Sequence, residues 1–357
     1  MSPRPLFTAL AALLVLAGPD APAQSFPQKP VRLIVPAPAG GPTDVPGRLI
    51  PTVSEPLRVS TSFADSSNYV QLTVEAVLDH AAEFDIIHSH LEWPSVLLAR
   101  VSPTPVVSTF HGRLDLPFAA EMFARPTPGL VAISQNQASS HPNVAWAGIV
   151  HNGLTLEGAP FERRRGDALC FVGRVTPEKG IVEAIDIAKA TGRRLRIAAK
   201  AGPTPIERAY FDDVFQPALK GAGDLVEYLG ELSQADRDSL FAESYATLMP
   251  GSWPEPFGLV AIEALACGTP VIARRVGGLP EVIRDGIDGF FGDDTTQLAF
   301  LVGRVDELDR EAIRASVLDR FSATRMTDAY ESVYRSMLRG DSATDGGDPP
   351  RRLEAVR

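Results

Sequence analysis

Two acidic residues with seven positions between them, Glu255 and Glu263, lie in the segment G-S-W-P-E-P-F-G-L-V-A-I-E-A-L-A-C-G-T-P-V-I-A at 251–273. Glu255 falls at the mouth of an apolar helix expected over 257–266 and Glu263 falls inside it, before a break at Cys267-Gly268 and a strand at 270–273. Carboxylates are acceptor-only groups suited to gripping ligand hydroxyls. An ionised Glu within an apolar helix is costly unless something polar meets it. A basic pair, Arg174 and Lys179, follows a strand at 169–172 and flanks the start of the next helix. Two cations beside free helix N–H groups make a site for a diphosphate-like anion, because the dipole and the fixed charges both favour it.

These groups need a frame, and the apolar pattern supplies one. In the first half, helical spacing runs over 67–80. Strand-like runs follow at 84–87, 105–110, 130–133 and 147–150, with a short helix at 93–100. In the second half, strands at 169–172, 195–199, 226–229, 246–249 and 271–273 alternate with helices at 178–190, 205–219, 234–243 and 257–266. Alternation of this kind implies parallel sheets. Residues at the carboxyl ends of such strands line a ligand crevice, which singles out His90, His111, Ser134 and His151, and in the second half Lys200 and Glu231. For His88, His90 and His151 a satisfied place in the core is the simpler expectation.

The segments F-V-G-R-V-T-P-E-K-G at 171–180, T-F-H-G at 109–112, V-H-N-G at 150–153 and V-G-G-L-P-E-V-I at 276–283 add to the paired glutamates. In order and spacing they resemble the retaining family-4 glycosyltransferases from about residue 51 to 334. The resemblance implies an α/β architecture of the GT-B type, two Rossmann-like doubly wound domains facing a cleft. It implies a nucleotide diphosphate sugar as donor. Arg174 and Lys179 would hold the pyrophosphate, Glu263 the ribose hydroxyls and Glu255 a hydroxyl of the transferred sugar. Eight residues of helix rise about 12 Å, which suits the span from hexose to ribose. Backbone amides at Gly258 and Leu259 could reach phosphate or sugar oxygens. Lys200 would face the crevice, and Glu231 would lie near the base. His111 would stand beside the donor sugar. Arg113 and Asp115, with Gly40 and Gly41 standing in for the family's glycine-rich loop, would face an acceptor that is a sugar, lipid or small molecule. Transfer would retain configuration, by same-face attack assisted by the leaving phosphate.

Bulk properties agree. A chain of 357 residues, 45% hydrophobic, suits two ordinary domains. A net charge of −10 and the lack of compact basic runs argue against a nucleic-acid partner. The two cysteines, Cys170 and Cys267, sit in apolar contexts and read as small core residues. No Cys/His cluster has metal-ligand spacing, so the chemistry is expected to need neither metal nor further cofactor.

The amino terminus reads differently. Arg4, the apolar run at 6–18 and A-P-A at 21–23 form a secretory signal pattern over 1–23, too short to span a membrane. Residues 24–50 resemble the start of a tripartite tricarboxylate transporter receptor, a periplasmic carboxylate binder. Export conflicts with donor supply, since nucleotide sugars are made in the cytosol, where the transferase portion is expected. The expected organisation is therefore a fused leader, an incomplete first domain at 51–152, a donor domain at 153–325, a closing helix at 326–339 and a disordered tail at 340–357. A strand at 31–35 and the Gly40-Gly41 turn would partly replace the missing opening of the first domain. The competing readings are an inactive chimera that binds donor without transfer, and a periplasmic carboxylate receptor. A sugar-nucleotide epimerase of the same architecture fits the glutamate motif less well.

Overall fold

A computed structural model describes residues 67–340, all within one compact unit. The leader, the receptor-like stretch, the 31–35 strand, Gly40, Gly41 and the tail beyond Gly340 lie outside the described residues.

Short, fully buried apolar runs become parallel strands when both faces of a sheet are covered. In the first sheet the strands are β1 (Ile87–Ser89), β2 (Val106–Phe110) and β3 (Leu130–Ala132), all buried, and the partly exposed edge strand β4 (Gly148–Ile149). They are parallel and lie side by side in chain order. Helix α1 (Ser67–His80) precedes β1, and α2 (Trp93–Val101), α3 (Ala119–Phe123) and α4 (Gln135–Ser139) connect the strands in turn. One part of the core gathers Val74, Val77, Phe84, Ile87 and Leu98, and another Val96, Phe110, Leu114 and Leu130.

The second sheet has six parallel strands: β5 (Leu169–Val175), β6 (Leu195–Ala201), β7 (Val226–Gly230), β8 (Ala246–Met249), β9 (Val271–Arg274) and β10 (Gly289–Gly292). Their order is β10-β9-β8-β5-β6-β7. The chain therefore winds outward from β5 to β7, returns to β8 on the other side of β5, and winds outward again. Helix α5 (Ile181–Thr191) follows β5. Helix α6 (Pro205–Tyr210) runs through a π-turn at Phe211–Phe215 into α7 (Gln216–Ala222). Then come α8 (Gln234–Ala242), α9 (Leu259–Ala266), α10 (Leu279–Val282), α11 (Thr295–Val302) and α12 (Arg310–Arg320). Polar side chains set several helix starts: Thr204 with Glu207 forms a capping box, and Ser233, Asp294 and Asp309 each accept from first-turn amides.

The strand pattern read from sequence omits β10, α11 and α12. G-F-F-G is too short to show periodicity, and its strand character comes from pairing with β9. Helix α13 (Ala323–Arg339) begins beside Leu154, whose amide donates to the Phe321 carbonyl at 2.9 Å. It buries Tyr330, Val333 and Tyr334. The hydroxyls of Tyr330 and Tyr334 bond Thr109 (3.1 Å) and His88 (2.7 Å) of the first sheet.

Candidate active site

In open parallel sheets, ligands bind outside the carboxyl ends of the strands where the winding reverses. Here that point lies between β5 and β8, and a cleft opens there. Phe171, Val172 and Gly173 of β5 line it, with Leu248 and Met249 of β8, and Trp253, Glu255 and Lys179 from the loops beyond. Inside it the Lys179 ammonium pairs with Glu255 Oε1, each side chain about one-fifth exposed. This ion pair is the chemical centre of the cleft.

Local backbone explains the placement. After Thr176, Pro177 opens a 3₁₀ turn (Pro177–Lys179), and Gly180 at φ +75° ends it. The Trp253 amide donates to the Glu178 carbonyl at 3.2 Å, so the loops after β5 and β8 are tied together. The Glu255 carbonyl accepts from the Gly278 amide at 2.7 Å. Gly277 sits at φ +57°, and a Cβ there would collide with the Glu255 backbone. The glycine pair after β9 thus props up the loop that carries Glu255.

The two glutamates are not two helical turns apart. Helix α9 starts at Leu259, with Gly258 at φ +110° as its N-cap and no side chain capping it. Pro254 and Pro256 flank Glu255 and restrict the residues before them to extended conformations. The expected helical rise therefore covers only the second half of the interval. Glu263 does not line the cleft; its Oε1 accepts from Arg237 of α8 at 3.0 Å. Burial pushes the Glu263 carboxyl up, and the Arg237 guanidinium works against that.

Arg174 also turns away. Its guanidinium reaches Glu207 (3.4 Å) and Glu178 (3.7 Å), and its side chain is half exposed. Arg174 and Lys200 are register partners on β5 and β6. Lys200 pairs with Glu231 at 3.1 Å, also well exposed. Arg174, Lys200, Glu231 and Glu207 form an ionic rim outside the cleft, with cations and carboxylates answering one another. Of the four groups that the sequence places around a common ligand, the cleft brings together Lys179 and Glu255.

On the facing side, His111 follows β2. Its ring Nε2 lies 2.8 Å from His90 Nδ1, and its amide donates to Glu92 Oε1 at 2.9 Å. The Gly112 amide donates to the same oxygen at 3.1 Å. Glu92 adopts φ +58°, unusual for a residue with a Cβ. The buried His88 bonds Tyr334 and Thr109, both at 2.7 Å. Burial, reinforced by His90 and His111, holds its ring well below the usual imidazole range. Burial followed by His111 takes His90 down to about 3, and burial also lowers His111. The three rings are neutral at physiological pH.

At the cleft, two of the contacts among the described residues join the sides. Arg113, held by Asp115 through two bonds of 2.7 Å, lies over the Trp253 ring at 4.8 Å. Glu281 of α10 accepts from the amides of Gln135 and Asn136 at the start of α4, each at 2.7 Å, and lies 3.1 Å from His151 Nε2. Sequence reasoning gave no role to Trp253, Glu281, Arg237 or Glu92. Trp253 and Glu281 stand within the segments that carried the resemblance, which was the available signal. Arg237 and Glu92 had none.

The sequence signature of group 1 glycosyl transferases matches residues 160–308. The D-inositol 3-phosphate glycosyltransferase of Mycobacterium leprae is 34% identical over 210 residues, covering 56% of this chain and 48% of that protein. The chain thus spans about half the length of that relative. The enzyme of the same name from Mycolicibacterium paratuberculosis is 30% identical over 306 residues, covering 72% of this chain and 68% of its own. Among solved structures, Anabaena HepE in complex with UDP and glucose superposes with a TM-score of 0.65 at 19% identity, covering 82% of this chain and 86% of that one. The two facing parallel sheets are those of the GT-B architecture. The chain belongs to the group 1 glycosyltransferases.

Proposed function

We propose that this protein transfers a sugar from a nucleotide diphosphate sugar to an acceptor hydroxyl, with retention at the anomeric carbon. The observation that carries the reading is the Lys179–Glu255 ion pair in the cleft at the β5/β8 reversal. A cation and a hydroxyl-gripping carboxylate side by side fit the junction of a diphosphate with a sugar. Lys179 binds the diphosphate and stabilises the charge that develops as it leaves. Glu255 accepts a hydroxyl of the transferred sugar. Arg174 joins Lys179 by exchanging Glu178 and Glu207 for phosphate oxygens. Glu263 takes the ribose hydroxyls by loosening its bond to Arg237, and the Gly258 and Leu259 amides lie nearby. Lys200 and Glu231 belong to the rim towards the base.

In the reaction the acceptor oxygen forms a bond to the anomeric carbon on the face that the diphosphate leaves. The bond from that carbon to the phosphate oxygen breaks, and the acceptor proton passes to the departing phosphate. His111 stands at the sugar, with Arg113 and Asp115 towards the acceptor. The relatives named above act on D-inositol 3-phosphate by name, so a phosphorylated polyol heads the acceptors to try. The solved neighbour holds UDP, so uridine donors come first among the bases. The test is to supply the full chain with UDP-, GDP- and ADP-sugars and candidate polyols. Nucleotide release is followed, and the anomeric configuration of the product is read by NMR. Retention is expected. Failure to bind any nucleoside diphosphate rejects the reading, while binding without transfer supports the inactive form.

A further inference from the structure

We propose that Glu281 is a positioning residue that sets the angle between the two domains and so places the first domain's face over the Lys179–Glu255 pair. The inference rests on the site assigned above. The Gln135 and Asn136 amides open α4, where helical N–H groups have no intrahelical partner and attract a carboxylate. Glu281 reaches them from the other domain, one oxygen to each at 2.7 Å. A bidentate, charge-assisted contact of this kind fixes orientation as well as distance.

The clamp does not end there. His151, in the segment joining the two sheets, lies 3.1 Å from the same carboxylate, and its ring packs 5.2 Å from Phe257. Phe257 is two residues beyond Glu255. On the other side, Gly278 at the start of α10 donates to the Glu255 carbonyl at 2.7 Å. The path from α4 to the cleft is therefore continuous: α4 amides, Glu281, α10, Gly278, Glu255. Burial alone would raise the Glu281 carboxyl. The His151 ring and the Asn136 and Gln135 amides outweigh it and hold the group below its usual value, so Glu281 is anionic at neutral pH.

Two variants break the clamp from opposite sides. Glu281→Gln keeps the shape and removes the charge. Gln135→Pro removes one donor at the first helical position, where proline is tolerated. Ser134 before it is already extended, at φ −155° and ψ 157°, as a residue before proline must be. Spin labels at Leu97→Cys and Phe300→Cys, both exposed and one on each domain, report the domain angle, because the native Cys170 and Cys267 are buried. Both clamp variants should broaden and shift the label distance distribution. They should lower kcat for transfer roughly 10- to 100-fold, as small misplacements do, while UDP affinity changes less than about 3-fold, since the diphosphate contact lies within one domain. Unchanged distance distributions, or an unchanged kcat, would overturn the proposal. If wild-type protein turns over no donor, the functional reading fails, and the label distances alone then decide whether Glu281 sets the angle.

Discussion

Replacing Glu255 by Gln should strengthen, not weaken, the binding of a nucleoside diphosphate that carries no sugar. In the free protein the Lys179 ammonium is paired with Glu255, and both side chains are about four-fifths covered. A phosphate must compete with that carboxylate for the same cation. A pair of intermediate exposure is worth about 1 kcal/mol at most, judging by exposed ion pairs. Releasing it should tighten diphosphate binding by about 3- to 5-fold. Lys179→Met removes a hydrogen bond between charged partners, worth about 1.5–3 kcal/mol, and should weaken binding about 10- to 150-fold. The double variant should bind like Lys179→Met, because Glu255 then has nothing to compete for. Calorimetric titration of the four proteins with UDP completes the cycle. With the sugar nucleotide instead, Glu255→Gln should lose affinity, since the hydroxyl contact is then exposed to the change. If Glu255→Gln weakens sugar-free UDP binding tenfold, the division of labour between the two residues is wrong.

Further expectations concern the frame. Folding depresses the proton affinity of the His88 ring, chiefly through burial, so the unfolded chain binds more protons below pH about 6.5. The stability this ring contributes is whole above that pH and is lost as pH falls; at pH 5 the loss from His88 alone is at most about 2 kcal/mol. Urea unfolding at pH 7 and pH 5 should show a correspondingly smaller acid loss in His88→Asn, and identical losses would reject the assignment. Gly277→Ala places a Cβ against the Glu255 backbone at φ +57°, costing about 1–3 kcal/mol. Transfer should fall by more than the modest drop in Tm suggests, and full activity would show that the prop is dispensable. Buried Arg310 donates to the carbonyls of Glu162, Ala242, Ser244 and Cys267 and to the Thr269 hydroxyl, while burial lowers its pKa to about 10. Arg310→Met strands those acceptors and should cost about 3 kcal/mol or more in chemical denaturation; a loss below about 1 kcal/mol would count against it.

Alternating apolar runs made the βα series legible over most of 84–273, because local pattern decides element type where burial is strong. The glutamate segment, the loop after β5 and the V-G-G-L-P-E turn were also visible as chemistry, since residue types and spacing are local properties. Which of those groups meet is a different matter. Lys179 and Glu255 are 76 positions apart, and Glu281 reaches Gln135 across 146. Only the reversal of strand order between β5 and β8 brings the first pair to one cleft. Side-chain direction was equally out of reach: Arg174 and Glu263 carry the right chemistry, yet neighbouring helices offer them Glu207 at 3.4 Å and Arg237 at 3.0 Å. Composition and order along the chain thus specified the kinds of groups and their secondary structure. The packing of distant segments chose their partners, because charge pairing falls off within a few ångströms and depends on contacts that no local window contains.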